Sequence, residues 1–220
     1  MTAIIFDLDG TLLDTLEDIA DATNKVLSRN GFPIHSVVSY RHFVGNGARA
    51  LVYRALPEER RTNELIKSCL NEFRAEYAEN WNRKTHVYPE IHELLENLAS
   101  LNIPFSINTN KPQPHAEKAV EGYLRAHAFA GVTGQREGVP LKPEPAGALQ
   151  LAEIMGSEPT DTYFVGDSSV DIRTARAAAM PSVGVTWGFR TERELREEGA
   201  LHIVHNPLEI VPLVSTTCSR

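Results

Sequence analysis

Phe6-Asp7-Leu8-Asp9-Gly10-Thr11-Leu12-Leu13-Asp14-Thr15, preceded by Ala3-Ile4-Ile5, is the stretch from which the fold can be read. Four apolar residues in succession, Ala3 to Phe6, predict a short strand buried on both faces, as in a parallel sheet. Asp7 and Asp9 stand where that strand runs out, and side chains at i and i+2 of an extended chain share a face. Two carboxylates projecting together repel unless a proton or a cation lies between them, so the pair is a candidate metal and acid/base site. Gly10 then lets the backbone turn sharply away.

Beyond this turn the apolar spacing becomes helical. Leu16, Ile19, Ala20, Val26 and Leu27 define one face, with Asp14 or Thr15 as cap and Gly31 as stop; Asp14, Asp18 and Asp21 read as cap and solvated face. A short helix over 37–44 is broken by Gly45-Asn46-Gly47, and Ala48, Leu51, Val52 and Leu56 resume the stripe. Leu65, Ile66, Cys69, Leu70, Phe73, Tyr77 and Trp81 mark a longer helix, so residues 16–83 form an all-helical unit.

Strand and helix alternate afterwards. A helix after Tyr88-Pro89 is followed by a strand over 103–109 ending at Thr109-Asn110-Lys111, and Pro112 starts the next helix. A brief strand at 131–134 precedes the loop with Lys142, then come a helix over 144–155 and a strand over 162–165 stopping at Gly166-Asp167. A helix over 170–179, a strand over 182–186, a capping box at Thr191-x-x-Glu194 and a strand over 202–204 complete the pattern. Such alternation implies an α/β doubly wound parallel sheet, with its site at the carboxyl ends of the strands. The expected division is a core of residues 1–15 and 84–220 with the helical unit, 16–83, inserted after the first strand.

Composition narrows the partners. The chain has 220 residues and a formal net charge of −7, so no basic footprint for nucleic acid is visible. An anionic substrate must be held by local groups or a metal. Cys69 and Cys218, far apart, suit a packed thiol and a tail residue in a reducing cytoplasm, not a disulfide framework or a zinc site. Acidic residues at 7 and 9 argue against a signal peptide, and no apolar run reaches membrane-spanning length.

The residues DLDGTLLDT resemble the first motif of the haloacid dehalogenase-like hydrolases, the DxDxT signature of aspartyl-phosphate phosphatases. Further motifs match in the same order, so the likeness spans essentially the whole chain. It implies a Rossmann-like core with a helical cap domain. It implies Asp7 as nucleophile and Asp9 as general acid/base, with magnesium held by Asp7, the main-chain carbonyl of Asp9, and Asp167. Thr109 and Asn110 match the second motif, which offers hydroxyl and amide donors to phosphoryl oxygens. Lys142, in Leu141-Lys142-Pro143-Glu144-Pro145, matches the third, whose lysine bridges nucleophile and phosphate. Gly166-Asp167-Ser168-Ser169-Val170-Asp171 resembles the fourth, GDxxxD, where Asp171 supports metal waters or Lys142. In isolation, Thr109 would read as a strand-terminal β-branched residue, Lys142 as solvated surface, and Asp167 and Asp171 as helix caps. Asn108, where an apolar residue is commoner, and Pro145 depart from the family pattern.

Phe43-Val44-Gly45-Asn46-Gly47-Ala48-Arg49 resembles the cap loop of bacterial phosphoglycolate phosphatases, and Thr109-Asn110-Lys111-Pro112 is also typical of that group. The likeness implies a magnesium-dependent phosphatase for a small phosphate ester, 2-phosphoglycolate first. Gly45, Asn46 and Gly47 would contact substrate, and Arg49 or another cap cation would pair with its carboxylate. A plain turn between helices is the alternative for that loop. Trp187-Gly188-Phe189-Arg190 resembles a segment flanking the site, with surface packing as the alternative. Competing expectations are a phosphatase for a sugar phosphate or pyrophosphate, a phosphosugar mutase, or a phosphoaspartate signalling or binding module. Asp9 and the helical insertion weigh against the last. A monomer or homodimer without nucleic-acid or membrane partners is expected.

Overall fold

The computed structural model describes residues 1–215, so Cys218 lies outside the described residues. The chain divides into two compact units, Asp14–His86 and the remainder, Met1–Leu13 with the chain from Val87 onward. The two crossings, Leu13–Asp14 (β2) and His86–Val87 (β3), pair as a two-stranded ribbon.

The larger unit is built on strand Ala3–Phe6 (β1), whose four side chains are all buried. It is flanked by Phe105–Pro112 (β4) and Thr162–Gly166 (β6), both parallel to it, with Phe6 opposite Ile107 on one side and Val165 on the other. Val132–Gln135 (β5), Ser182–Val185 (β7) and His202–Val204 (β8) extend the sheet, giving the order β5-β4-β1-β6-β7-β8. The registered pairs are parallel, as expected for an α/β doubly wound core. The helices of this unit are Ile91–Ser100 (α5), Gln113–Tyr123 (α6), Ala146–Ile154 (α7), Ser169–Ala177 (α8), Glu192–Glu197 (α9) and Ile210–Ser215 (α10). Ala3 and Ile5 share one sheet face and pack with Ala148, Leu151 and Ala152 of α7 and Ala175 of α8. Strand β4 runs through Pro112, past the expected stop at Thr109, because a register shift between Asn108 and Pro112 lets Pro112 pair with Gln135.

The helical unit consists of Leu16–Arg29 (α1), Val37–Phe43 (α2), Ala48–Ala55 (α3) and Asn63–Asn80 (α4). Cys69 is buried in α4, as a packed thiol. The Glu76 carboxylate of α4 accepts from Lys25 Nζ at 2.7 Å and Arg29 Nη2 at 2.8 Å, joining α1 to α4. Asp18 is not on a solvated face. It is 2% exposed, and its carboxylate accepts from the Lys84 amide at 3.0 Å, the Thr85 amide at 2.8 Å and the Thr85 hydroxyl at 2.7 Å. Asp18→Ala would orphan two amides, the Thr85 hydroxyl keeping the Trp81 carbonyl at 3.0 Å as acceptor, and is expected to cost about 3 kcal/mol in urea unfolding, with under about 1 kcal/mol counting against the clasp.

Candidate active site

In an open parallel sheet the strands' carboxyl ends surround a crevice where the chain winds off in opposite directions. Here that point is the end of β1, between β4 and β6. Asp7 follows β1, Thr109 and Lys111 lie in the last half of β4, and Asp167 follows β6. The Asp7 amide continues the ladder by donating to the Val165 carbonyl at 2.9 Å, which fixes the first carboxylate relative to β6.

Lys142 is the centre of the cluster. Its ammonium, 3% exposed, lies 2.9 Å from Asp7 Oδ1 and 2.6 Å from Asp171 Oδ1. The loop carrying it is clamped by Asn110, whose Nδ2 donates to the Lys142 carbonyl at 3.1 Å and whose Oδ1 accepts from the Lys142 amide at 2.9 Å. Asn110, expected to face phosphoryl oxygens, thus engages main chain in this structure. Asp171 completes a capping box at the start of α8, its Oδ2 accepting from the Ser168 amide at 3.0 Å and hydroxyl at 2.6 Å. Thr109 is buried, and its hydroxyl accepts from the Lys111 amide at 3.2 Å.

Asp167 is held from the other side. Its Oδ2 accepts from the Phe189 amide at 2.7 Å, and Trp187 Nε1 donates to the Thr11 carbonyl at 3.0 Å, so the 187–190 segment flanks the acidic cluster instead of merely packing on the surface. Gly10 and Gly188 both press on Asp167. A Cβ at Gly10, whose φ is +92°, would sit 2.5 Å from Asp167 Oδ2, and one at Gly188 would overlap Asp167 Cβ.

Oxygens of Asp7, Asp167 and Asp171 lie within 4.8 Å of one another, all three side chains buried. The Lys142 ammonium is paired with two of these three carboxylates, Asp7 and Asp171. Burial pushes Asp7 up to about 7 against the pull of Lys142, with Asp171 also raising it. Burial, then the charges of Asp171 and Asp7, hold Asp167 well above the ordinary carboxylate range. Burial lowers Lys142, but Asp171 and Asp7 more than reverse this and hold it above the usual lysine range. Fully ionised, the cluster carries an excess of negative charge in a buried place, which the charge of Arg190 near Asp167 does not cancel. A divalent cation fits that deficit, and a donor set of carboxylate oxygens with no His or Cys suits a hard ion such as magnesium. Bound there, such an ion supplies the neutralisation that lets an anionic ester approach a carboxylate.

This imbalance has a pH signature. An unfolded Asp7 ionises near pH ~4, whereas the folded one holds its proton up to about 7, so the folded state binds more protons in that window and loses stability as pH rises through it. In chelator, Tm is expected to fall between pH 5 and pH 8, with magnesium raising it more at pH 8. A magnesium shift equal at both pH values would contradict this balance of charge.

Lys111 was missed as a site residue. Its ammonium, 3% exposed, lies 2.9 Å from Asp9 Oδ1 and 3.1 Å from Asp9 Oδ2, and the Asp9 side chain is 20% exposed. The available signal was its place in Thr109-Asn110-Lys111-Pro112, a run typical of the group it resembles; its burial, which requires an anion, shows only in the structure. Gly45, Asn46 and Gly47 belong to the helical unit, between α2 and α3. Arg54 shapes that turn, donating from Nη2 to Asn46 Oδ1 at 2.7 Å and from Nη1 to the Phe43 carbonyl at 2.9 Å. Arg49 Nη2 donates to Asn63 Oδ1 at 2.9 Å.

No helix among the described residues is long and apolar enough to cross a membrane. Residues 4–185 match the family model described as haloacid dehalogenase-like hydrolase. A phosphoglycolate phosphatase of Pseudomonas putida is 32% identical over 95% of this chain and 78% of its own length. One from Haemophilus influenzae is 33% identical over 84% of this chain and 85% of its own. A haloacid dehalogenase-like family hydrolase from Streptococcus pneumoniae superposes with a TM-score of 0.86 at 27% identity, covering 97% of this chain and 98% of that one. With the strand-end carboxylates, the bridging lysine and these relatives in agreement, the chain belongs to the haloacid dehalogenase-like hydrolases and, within them, to the phosphoglycolate phosphatase-like group of phosphoric monoester hydrolases.

Proposed function

We propose that this phosphatase hydrolyses a small phosphate monoester, 2-phosphoglycolate first among candidates, with Asp7 as the nucleophile. The observation that carries the reading is the Lys142 bridge, 2.9 Å from Asp7 and 2.6 Å from Asp171. It orients one carboxylate and places a cation where phosphoryl charge would gather. An Asp7 oxygen attacks phosphorus as the ester P–O bond breaks, and Asp9 gives a proton to the departing oxygen. Asp9 then takes a proton from the water that cleaves the aspartyl-phosphate, releasing inorganic phosphate. Thr109 donates its hydroxyl to the phosphoryl group, and Asn110 serves the site by holding the Lys142 loop. Asp7, Asp167 and the Asp9 carbonyl are assigned to magnesium, with Asp171 supporting Lys142. Gly45, Asn46 and Gly47 are assigned to the leaving group. The names of the relatives in P. putida and H. influenzae favour 2-phosphoglycolate, and the sparse cysteines favour a cytoplasmic setting.

The test is phosphate release from 2-phosphoglycolate, sugar phosphates and pyrophosphate, with and without magnesium. The reading expects magnesium-dependent release with the highest kcat/KM on 2-phosphoglycolate. A higher value on a sugar phosphate or pyrophosphate would change the substrate, and sugar-phosphate isomerisation without phosphate release would replace hydrolysis by mutase chemistry.

A further inference from the structure

We propose that Lys111 determines substrate specificity, its ammonium exchanging the Asp9 carboxylate for a carboxylate carried on the leaving group. This rests on the reading of Asp9 as the group that serves the leaving oxygen.

The argument begins with an occupancy conflict. Both Asp9 oxygens accept from Lys111, at 2.9 Å and 3.1 Å, so while this pair stands the carboxylate faces the lysine. To work on an ester oxygen, Asp9 must turn at least one of those oxygens elsewhere. Lys111 is 3% exposed at its side chain, and a buried ammonium whose two-oxygen pairing with a carboxylate is weakened is disfavoured. A neutral leaving group offers nothing in exchange. A leaving group with a carboxylate one carbon from the ester oxygen supplies the replacement anion beside the place where Asp9 is needed, and the ammonium stays paired throughout.

Position supports the exchange. Lys111 sits two residues beyond Thr109 on β4, and its amide donates to the Thr109 hydroxyl, so the ammonium is carried by the strand assigned to the phosphoryl group. Asp9 is the more exposed member of the pair at 20%, so an incoming anion meets the partner that must move. Lys142 is already shared between Asp7 and Asp171. In the helical unit Arg49 is bonded to Asn63, and Arg54 to Asn46 and the Phe43 carbonyl. Lys111 is therefore assigned the recognition of the substrate carboxylate, the role that sequence reading gave to Arg49 or another cation of the helical unit.

The experiment compares 2-phosphoglycolate with ethyl phosphate, which lacks the carboxylate, in wild type, Lys111→Met and Lys111→Arg with magnesium present. Wild type is expected to prefer 2-phosphoglycolate. Lys111→Met should lose about 100-fold in kcat/KM on 2-phosphoglycolate and less than about 5-fold on ethyl phosphate, and Lys111→Arg should keep part of the preference. The ratio of the two substrates is internal to each variant, so partial loss of folded protein does not move it. An unchanged ratio in Lys111→Met, or a wild type indifferent to the carboxylate, overturns the inference while phosphatase activity on ethyl phosphate leaves the functional reading standing. A wild type that releases phosphate from neither ester overturns both.

Discussion

Asp7→Asn is expected to lower kcat by at least about 10⁴-fold on the substrate identified by the phosphate-release panel, with the fold intact. The amide is nearly isosteric with the carboxylate but is a far poorer nucleophile, and it cannot form the acyl phosphate of the proposed reaction. Loss of activity through unfolding is separable, because the substitution removes one of three clustered buried carboxylates, of which Lys142 pairs with two. Metal-free Asp7→Asn protein is accordingly expected to unfold at a temperature no lower than wild type at pH 8. Its Tm should also vary less between pH 5 and pH 8, since the group that burial raises to about 7 is gone. A variant retaining more than a hundredth of wild-type kcat would remove Asp7 from the chemistry.

The second large effect concerns Lys142→Met. The thioether chain fills most of the lysine's volume but leaves Asp7 and Asp171 buried without their shared cation. Removing one partner of a buried ion pair costs about 3–5 kcal/mol, and a penalty of that size is expected in urea unfolding at pH 8. The penalty should shrink at pH 5, where Asp7 takes up a proton and the stranded charge is reduced. Activity should fall by more than about 10²-fold, the scale seen when one preorganised donor to a transition-state oxygen is removed. A cost below about 1 kcal/mol at pH 8 would show that Lys142 is not the electrostatic keystone of the cluster.

Local pattern carried the strands and the ends of β1 and β6. Ala3 to Phe6 is apolar without interruption because β1 is an interior strand of the sheet and is covered on both faces, so Asp7 had to fall at its edge. Asp167 was readable for the same reason at the end of β6. Partnerships between distant residues were not readable. Asn110 and Lys142 are 32 positions apart, Asp9 and Lys111 are 102 apart, and Asp18 and Thr85 are 67 apart. Each depends on how loops close once strands have paired. Lys111 was further obscured by the register shift between Asn108 and Pro112, which prolongs β4 beyond the point where its apolar run ends. Asp18 was misread because helical spacing marks which face a residue occupies but not what lies against that face.

The sheet order also has a consequence during synthesis on the ribosome. The strand that leads to Asp7 is synthesised well before both of its neighbours, Phe105–Pro112 and Thr162–Gly166. Residues 14–86 are continuous and can be completed in the interval, whereas strand Ala3–Phe6 can pair along one edge only after residue 112 has cleared the exit tunnel and along the other only after residue 166. This part of the candidate active centre is therefore completed late, and a nascent chain stalled before residue 166 leaves one edge of a wholly apolar strand open to chaperones.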